Sequence, residues 1–198
     1  MTARIRKSAE ERKSEIVDAA IQLAGEVGPD RITTEQLATE VGISQPGIFR
    51  HFPTKSDIWW AVAQRIGAMM GKKPWLTESQ EADPAGQLRK LVIGHLNFIQ
   101  TTPAIPAILF SRELHAENEK MRSFFAGLIA SRHRKFSKLI AAEIAAGGFR
   151  KTLNPDDAAY LMLALIQGLA MRWSLNARGF DLVVEGQRLL DLQLAGFK

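Results

Sequence analysis

Side chains that could carry out catalysis are scattered along this sequence. The chain has 198 residues and no cysteine, which excludes thiol nucleophiles, thiolate metal sites and disulfides. The spacing of its histidines fits no metal site: they are His51, His95, His115 and His133. Glu113 and Glu117 lie one helical turn apart, but basic residues flank them, which favours a solvated helix face. With no glycine-rich phosphate loop or nucleophile elbow either, the sequence predicts no enzyme, no metal and no cofactor.

Side chains that could bind a nucleic acid are grouped near the N-terminus instead. Ser44, Gln45 and Arg50 carry the donors and acceptors that read base edges in a major groove. A threonine hydroxyl at a helix N-terminus, as expected for Thr33, can also donate to a phosphate. Whether these side chains can reach DNA together depends on the helices that position them.

Two short helices joined by a tight turn are predicted between Thr33 and Phe52. Ala38 lies four residues before Gly42, so its small side chain lets the helices cross closely and the glycine takes the positive φ of the turn. Apolar residues hold this pair against a third helix: Leu37, Val41, Ile43 and Ile48. This pattern is typical of a helix-turn-helix.

The third helix is predicted to begin after Ser8, which has capping-box spacing with Glu11. Gly28 is expected to end it as a left-handed cap. Its apolar stripe is Ile16, Ala20, Leu23, Ala24 and Val27. Thr54 and Asp57 are predicted to cap a fourth helix that continues to about residue 70. The helix-turn-helix therefore has helices on both sides of it.

Residues 8–60 resemble the DNA-binding domain of the tetracycline-repressor (TetR/AcrR-type) family of bacterial transcription regulators. The matching residues are Thr33-x-x-Gln36-Leu37-Ala38, Gly42-Ile43-Ser44, Ile48-Phe49-Arg50-His51-Phe52 and Lys55. The resemblance implies that the helix starting near Ser44 enters the major groove, and that phosphate contacts fall on Thr33, His51 and Lys55. The expected DNA contacts are Thr33, Thr34, Ser44, Gln45, Pro46, Gly47, Phe49, Arg50, His51 and Lys55.

Phe49 departs from the family pattern, which usually has tyrosine before the Arg-His pair. Phenylalanine can still pack its ring, but it lacks the hydroxyl that bonds a phosphate. That contact is expected to be missing or replaced. Gln45, Pro46 and Gly47 lie at positions that vary in the family, so the bases that are read do not follow from the resemblance.

The net charge of +5 does not by itself support DNA binding. Residues 1–60 hold eight lysines and arginines against nine acidic residues, so the positive excess lies in residues 61–198. The placement of charge is more informative, because Arg4, Arg6 and Lys7 form a basic N-terminal arm, residues 1–7. Basic residues also follow the second helix of the pair. No apolar signal segment follows the arm, and no apolar run has the length of a membrane span.

The rest of the chain keeps a helical apolar period, and the fold class is predicted as all-α with about nine helices. A break at residues 71–84, with Trp75 anchored to a core, precedes helices starting near 85, 108, 119, 155 and 181. The predicted division is residues 1–55 for DNA binding and 56–198 for effector binding and dimerisation.

The helix over residues 155–177 is apolar on nearly all sides. One of its faces can pack on the core of its own chain, and the other needs a second chain to bury it. We therefore expect a homodimer through helices 155–177 and 181–195, as the family resemblance also implies.

The resemblance further implies a pocket for a small, partly apolar effector in the C-terminal half. Its expected lining is Trp60, Met70, His95, Phe98, Phe110, Arg122 and Phe125. His95 has an alternative interpretation as a core histidine with a backbone or carboxylate partner. The basic cluster from Arg132 to Lys138 is interpreted as a solvated face, with an anionic ligand or a second nucleic-acid surface as alternatives.

The sequence thus favours a cytoplasmic, bacterial, DNA-binding transcription regulator, associated with the nucleoid when bound to DNA and not with a membrane. The expected form is a repressor that a small effector releases from a palindromic DNA operator. The alternative is a DNA-bound structural or interaction protein without a small-molecule effector. The sequence does not define the effector, the operator or the target genes.

Overall fold

The structure is a computed structural model that describes residues 7–72 and 83–198. All regular elements in these two ranges are helical, which confirms the all-α prediction. The predicted loop anchor Trp75 and the arm residues Arg4 and Arg6 lie outside the described residues. The helices are α1 (Ala9–Val27), α2 (Thr34–Val41), α3 (Gln45–His51), α4 (Lys55–Gly71), α5 (Pro84–Thr101), α6 (Ala104–Leu109), α7 (Arg112–Glu117), α8 (Glu119–Ala145), α9 (Pro155–Leu175) and α10 (Leu182–Ala195), with a 3-10 turn at Pro29–Arg31.

The described ranges thus hold ten α-helices where the sequence predicted about nine. The additional helix arises where one short helix was expected around residues 108–116. Ser111 interrupts that segment: its hydroxyl accepts a hydrogen bond from the Leu114 backbone N–H at 3.1 Å and so caps α7 separately from α6. A serine cap satisfies a donor at a helix start, which is why a new helix begins there.

Most predicted helix ends are confirmed. Ser8 and Glu11 form the expected capping box at the start of α1, and the side chain of Asn154 accepts from two backbone N–H groups at the start of α9. Gly28 does end α1, with φ 87°, but its ψ of 146° lies outside the left-handed helical region. The chain therefore leaves α1 in an extended direction and turns at Pro29–Arg31.

The chain forms two compact units. The first consists of Met1–Ala68 and Ala107–Phe125, and the second of Met69–Pro106 and Ala126–Lys198. These units describe packing, whereas the division after residue 55 concerns function and stays a prediction.

The first unit is built on α1, α2 and α3, which pack against one another. Ile16, Ile48 and Ile58 are fully buried in its core. Polar contacts attach the later segment of this unit: Ser111 Oγ donates to Asp30 Oδ1 at 2.5 Å, and the Asn118 amide donates to Ser56 Oγ at 2.8 Å. These contacts fix the entry to α4 beside the helix-turn-helix.

The second unit is built on α5, α9 and α10. Gly186 sits where α10 crosses α5, and a Cβ atom there would lie 2.1 Å from Leu96 Cδ1. Any side chain at this position would require Leu96 to move. The side chain of Glu185 ties α10 to α9, because it accepts hydrogen bonds from Arg188 and from Arg172 at 2.6 Å, which lower the Glu185 pKa to about 2.

Helix α9 is long and apolar enough to cross a membrane by length and composition. In its most apolar stretch, 44% of the residues are buried inside the protein. Core helices of soluble proteins meet the same two criteria, so the observation is weak support for a membrane span.

Candidate nucleic-acid interface

The first helix of the predicted pair, α2, begins at Thr33 with a capping box. Thr33 Oγ1 accepts a hydrogen bond from the Gln36 backbone N–H at 3.1 Å, and Gln36 Oε1 accepts from the Thr33 N–H at 2.8 Å. The predicted cap is confirmed. A hydroxyl that accepts in a cap keeps its own proton, so exposed Thr33 can still donate to an anion.

The turn between α2 and α3 has the predicted backbone. Gly42 adopts the left-handed conformation, with φ 70° and ψ 38°, which a side chain would strain. The Ile43 N–H then bonds the Ala38 carbonyl at 2.9 Å and closes the turn. Ala38 is buried at the crossing of the two helices, as its small side chain predicts.

Helix α3 has one buried side and one exposed side. Gly47 and Ile48 are buried, whereas Ser44, Pro46 and Phe49 are exposed. A Cβ atom on Gly47 would lie 3.4 Å from Ser44 Oγ, an ordinary van der Waals distance, so the packing of the turn does not itself require glycine here. Ser44 occupies the N-cap position without a side-chain cap bond, which leaves its hydroxyl available to a partner.

Gln45 is held against the preceding helix. Its Nε2 donates a hydrogen bond to Thr34 Oγ1 at 2.8 Å, and both residues are half-buried. This contact joins the first turn of α2 to the first residue of α3. The Gln45 amide has two polar atoms that could read a base, Oε1 and Nε2. Nε2 is used at least in part within the protein.

Basic side chains lie at the end of α3 and the start of α4. Arg50 is exposed, while His51 and Lys55 are half-buried. Within residues 7–72, none of these three side chains takes part in an ion pair. The start of α4 is capped as predicted, since Asp57 N–H donates to Thr54 Oγ1 at 3.1 Å. Arg50 and Lys55 therefore place two positive charges, without an ion-pair partner within residues 7–72, beside the exposed side of α3.

Three other cations of this unit are engaged within the protein. Lys7, the one arm residue that the structure describes, forms an ion pair with Glu15. Arg12 bonds the Val41 carbonyl at 3.3 Å and so ties α1 to the end of α2. Arg65 on α4 donates to Asp18 at 2.6 Å and to Ser14 at 2.9 Å, both on α1. The Arg12 and Arg65 contacts thus join α1 to α2 and to α4, the helices that support α3.

Comparison with known families accounts for both halves of the chain. Residues 16–62 match the model of the bacterial regulatory proteins of the tetR family. Residues 83–198, more than half of the chain, match the C-terminal region of MAATS-type transcriptional repressors. The chain belongs to the TetR family. It is a DNA-binding transcription regulator with a helix-turn-helix.

Individual relatives agree with this assignment. The nucleoid occlusion factor SlmA of Shewanella halifaxensis is 31% identical over 140 residues, which cover 70% of each protein. A TetR transcription regulator from Haloarcula marismortui superposes with a TM-score of 0.74 at 18% identity, covering 95% of this chain and 98% of the other. The regulator FadR from Bacillus subtilis, solved with stearoyl-CoA, has a TM-score of 0.73 at 18% identity, covering 93% and 99%.

The side chains that the TetR resemblance assigned to an effector pocket are divided between the two compact units. In the first unit, Phe125 is buried, Trp60 and Phe110 are half-buried, and Arg122 is exposed and paired with Glu119 at 3.4 Å. In the second, Phe98 is buried, and Met70 and His95 are half-buried. Their assignment to one pocket stays a prediction.

Arg132 differs from its predicted environment. It was expected on a solvated basic face, but it is buried, and its Nη2 lies 3.2 Å from Met70 Sδ. Burial lowers the Arg132 pKa to about 10. The helical period of α8 could have predicted this burial. Arg132 follows Leu128 by four residues and precedes Phe136 by four, so it lies on the apolar side of the helix.

His95 lies in the same unit as Arg132 and has a buried Nδ1. Burial lowers the His95 pKa to about 3, and the positive charge of Arg132 adds to this effect. The imidazole is therefore neutral at pH 7, when Arg132 is still charged. A neutral ring next to a buried cation can accept or donate hydrogen bonds without adding charge.

Proposed function

We propose that this TetR-family chain is a homodimeric repressor that a small effector releases from a palindromic operator. Residues 1–55 bind DNA in this proposal, and residues 56–198 bind the effector and the second subunit. The observation that carries it is the exposed side of α3, which is flanked by Arg50, His51 and Lys55, none of which forms an ion pair within residues 7–72.

DNA docking follows from that geometry. Helix α3 lies in the major groove, where Ser44, Pro46, Phe49 and Arg50 face the bases. Thr33, His51 and Lys55 face phosphates. Thr34, Gln45 and Gly47 were also expected to contact DNA; in this docking the Gln45–Thr34 hydrogen bond holds α3 in place, and Gly47 lies on the buried side of that helix. This docking predicts that the cations at phosphates determine the affinity and its salt dependence. The α3 side chains that face the bases determine the sequence preference.

The second subunit covers an exposed apolar surface on α9 and α10. Its large members are Tyr160, Leu161, Met171, Leu175, Val184 and Leu192. Two small residues, Ala164 and Gly168, are exposed on α9 between Leu161 and Leu175. These positions recur every three or four residues and form one stripe along the helix. Two such stripes, one from each subunit and related by a two-fold axis, bury each other. A protein with this symmetry binds two half-sites related by the same axis, which is why the operator is palindromic.

The effector is proposed to be a small, partly apolar molecule bound in the C-terminal half. FadR of Bacillus subtilis was solved with stearoyl-CoA, which supports a molecule with an apolar chain as one class. Release from DNA requires that the effector prefer the released state by ~2–3 kcal/mol for a 30- to 150-fold loss of affinity.

The proposal is tested by selecting duplexes from a random pool with the full-length protein and mapping its sites in its own genome. A palindromic site upstream of a gene whose expression rises when this protein is deleted supports repression. Native mass spectrometry of the purified dimer then identifies any bound small molecule, and that molecule must weaken binding to the selected duplex. Scattered sites without any change in expression would contradict the proposal.

A second candidate is a nucleoid-associated protein that acts through partners rather than through an effector. The similarity to SlmA proteins, named nucleoid occlusion factors, favours it. Many dispersed chromosomal sites, unchanged transcription and an altered division pattern on deletion would favour this candidate over the repressor.

A further inference from the structure

We propose that α3 recognises thymine through its C5 methyl group, by means of an apolar face formed by Pro46 and Phe49. This inference rests on the proposed docking of α3 in the major groove and names the base feature that it reads.

Pro46 and Phe49 are three residues apart on α3, so they lie on the same side of the helix. Both are exposed, and they lie opposite the buried pair Gly47 and Ile48. Among the large apolar side chains described in the first unit, only Val27 and Phe49 are exposed, at 44% and 41%. Val27 is at the end of α1, so Phe49 is the large apolar group next to the cations of the interface.

The polar groups around this face narrow what it can read. Gln45 Nε2 donates one of its two N–H groups to Thr34, so that donor is engaged within the protein. Ser44 and Arg50 remain for hydrogen bonds. The thymine methyl is the apolar feature of the major groove, and apolar side chains are the groups that contact it. In unmodified DNA it is carried by thymine alone, so a proline–phenylalanine face selects A·T pairs of one orientation.

The test uses a duplex selected by the full-length protein from a random pool. Each thymine is replaced in turn by deoxyuridine, which keeps every hydrogen-bonding group and lacks only the methyl. Affinity is measured by fluorescence anisotropy. At one or two thymines of each half-site, the change should weaken binding about fourfold, the equivalent of one methyl group removed from an apolar environment.

Phe49→Ala and Phe49→Leu connect that loss to the proposed side chain. In Phe49→Ala, the uracil duplex should bind as well as the thymine duplex at the affected position, and Phe49→Leu should keep part of the difference. Val27→Ala is the matched control, because Val27 is also exposed and apolar but lies on α1; it should keep the full difference.

Two results would overturn the inference and leave DNA recognition intact. One is uracil duplexes that all bind within about twofold of the original, while a scrambled duplex is not bound. The other is a Phe49→Ala variant with undiminished uracil sensitivity, since the methyl would then be read elsewhere. Failure to select any duplex would contradict the proposed function itself.

Discussion

Gln45 Nε2 donates a hydrogen bond to Thr34 Oγ1 at 2.8 Å, across the two helices of the helix-turn-helix. The residue that sequence reasoning expected to read a base therefore also braces the reading helix. A cross-helix bond of this kind fixes the orientation of α3 before DNA arrives. Less conformational entropy of α3 is then lost when DNA binds.

Removing either partner of this bond should weaken DNA binding to a similar extent. Gln45→Ala and Thr34→Val are each expected to lower affinity about fivefold, because a net hydrogen bond contributes about 1 kcal/mol. The double variant should be no weaker than either single variant, since both remove the same bond. Fluorescence anisotropy on a selected duplex measures all three. A change of base preference in Gln45→Ala alone would show that this side chain reads a base directly.

Arg50→Ala and Lys55→Ala should both weaken binding, and Lys55→Ala should also reduce its salt dependence. Lys55 is placed at a phosphate, and the removal of one phosphate–cation pair reduces the log–log salt slope by about one, whereas Arg50 is placed at the bases, where its loss weakens hydrogen bonding to them. Binding titrations from low to moderate salt give this slope. Lys90→Ala is the control, because Lys90 is exposed on α5 in the second unit. A wild-type salt slope in Lys55→Ala, together with wild-type affinity in Arg50→Ala, would contradict the proposed docking.

Phe49→Tyr should bind equally well or more tightly than the wild type. The ring is 41% exposed, so a hydroxyl can be added without entering the core, and it would restore the phosphate bond usual in the family. Equilibrium binding to the selected duplex measures the change. A loss of binding would show that the Phe49 ring lies where DNA leaves no room for an oxygen.

The fold of the helix-turn-helix could be predicted from the sequence because its signals are local. The cap at Thr33, the turn at Gly42 and the small Ala38 each depend on residues within one or two turns. The bond from Gln45 to Thr34 could not be predicted, since it joins two helices whose crossing the sequence does not specify. The burial of Arg132 was missed for another reason. Four basic neighbours suggested a surface, although the helical period placed this one arginine on the apolar side.

Gly168→Leu should convert the proposed dimer into a monomer without harming the subunit. Gly168 is exposed on α9, and a Cβ atom there would meet nothing within 4 Å in the isolated chain. Leucine should even stabilise the helix by roughly 1 kcal/mol relative to glycine. In the dimer, however, the added side chain would keep the two α9 helices apart. Light scattering after size exclusion should then give the mass of one chain, 22.0 kDa.

Gly127→Leu is the matched control for that experiment. Gly127 is also an exposed glycine of a long helix, α8, with nothing within 4 Å of its Cβ position. It lies outside the apolar stripe, so this variant should stay dimeric. A dimeric Gly168→Leu variant, or a wild-type protein that is monomeric at micromolar concentration, would contradict an interface through α9.

The pH dependence of stability should carry a contribution from His95. Its pKa is about 3 in the folded protein, lowered first by burial and then by the charge of Arg132, against an ordinary value of 6.5. Below pH 6.5 the unfolded chain binds a proton at this residue that the folded chain does not. The contribution to stability is therefore complete above pH 6.5 and is lost as the pH falls toward 3. Between pH 7 and pH 5, the free energy of unfolding should fall by about 2 kcal/mol from this residue.

Urea unfolding of the wild type and His95→Gln at both pH values isolates that contribution. Glutamine keeps a polar side chain but does not titrate, so the fall in unfolding free energy between pH 7 and pH 5 should be about 2 kcal/mol smaller in the variant. Phe98→Leu is the control for a general loss of packing, because Phe98 is buried on the same helix and carries no charge. It should lower stability at both pH values and keep the wild-type difference. Equal pH differences in wild type and His95→Gln would show that His95 is readily protonated in the folded protein.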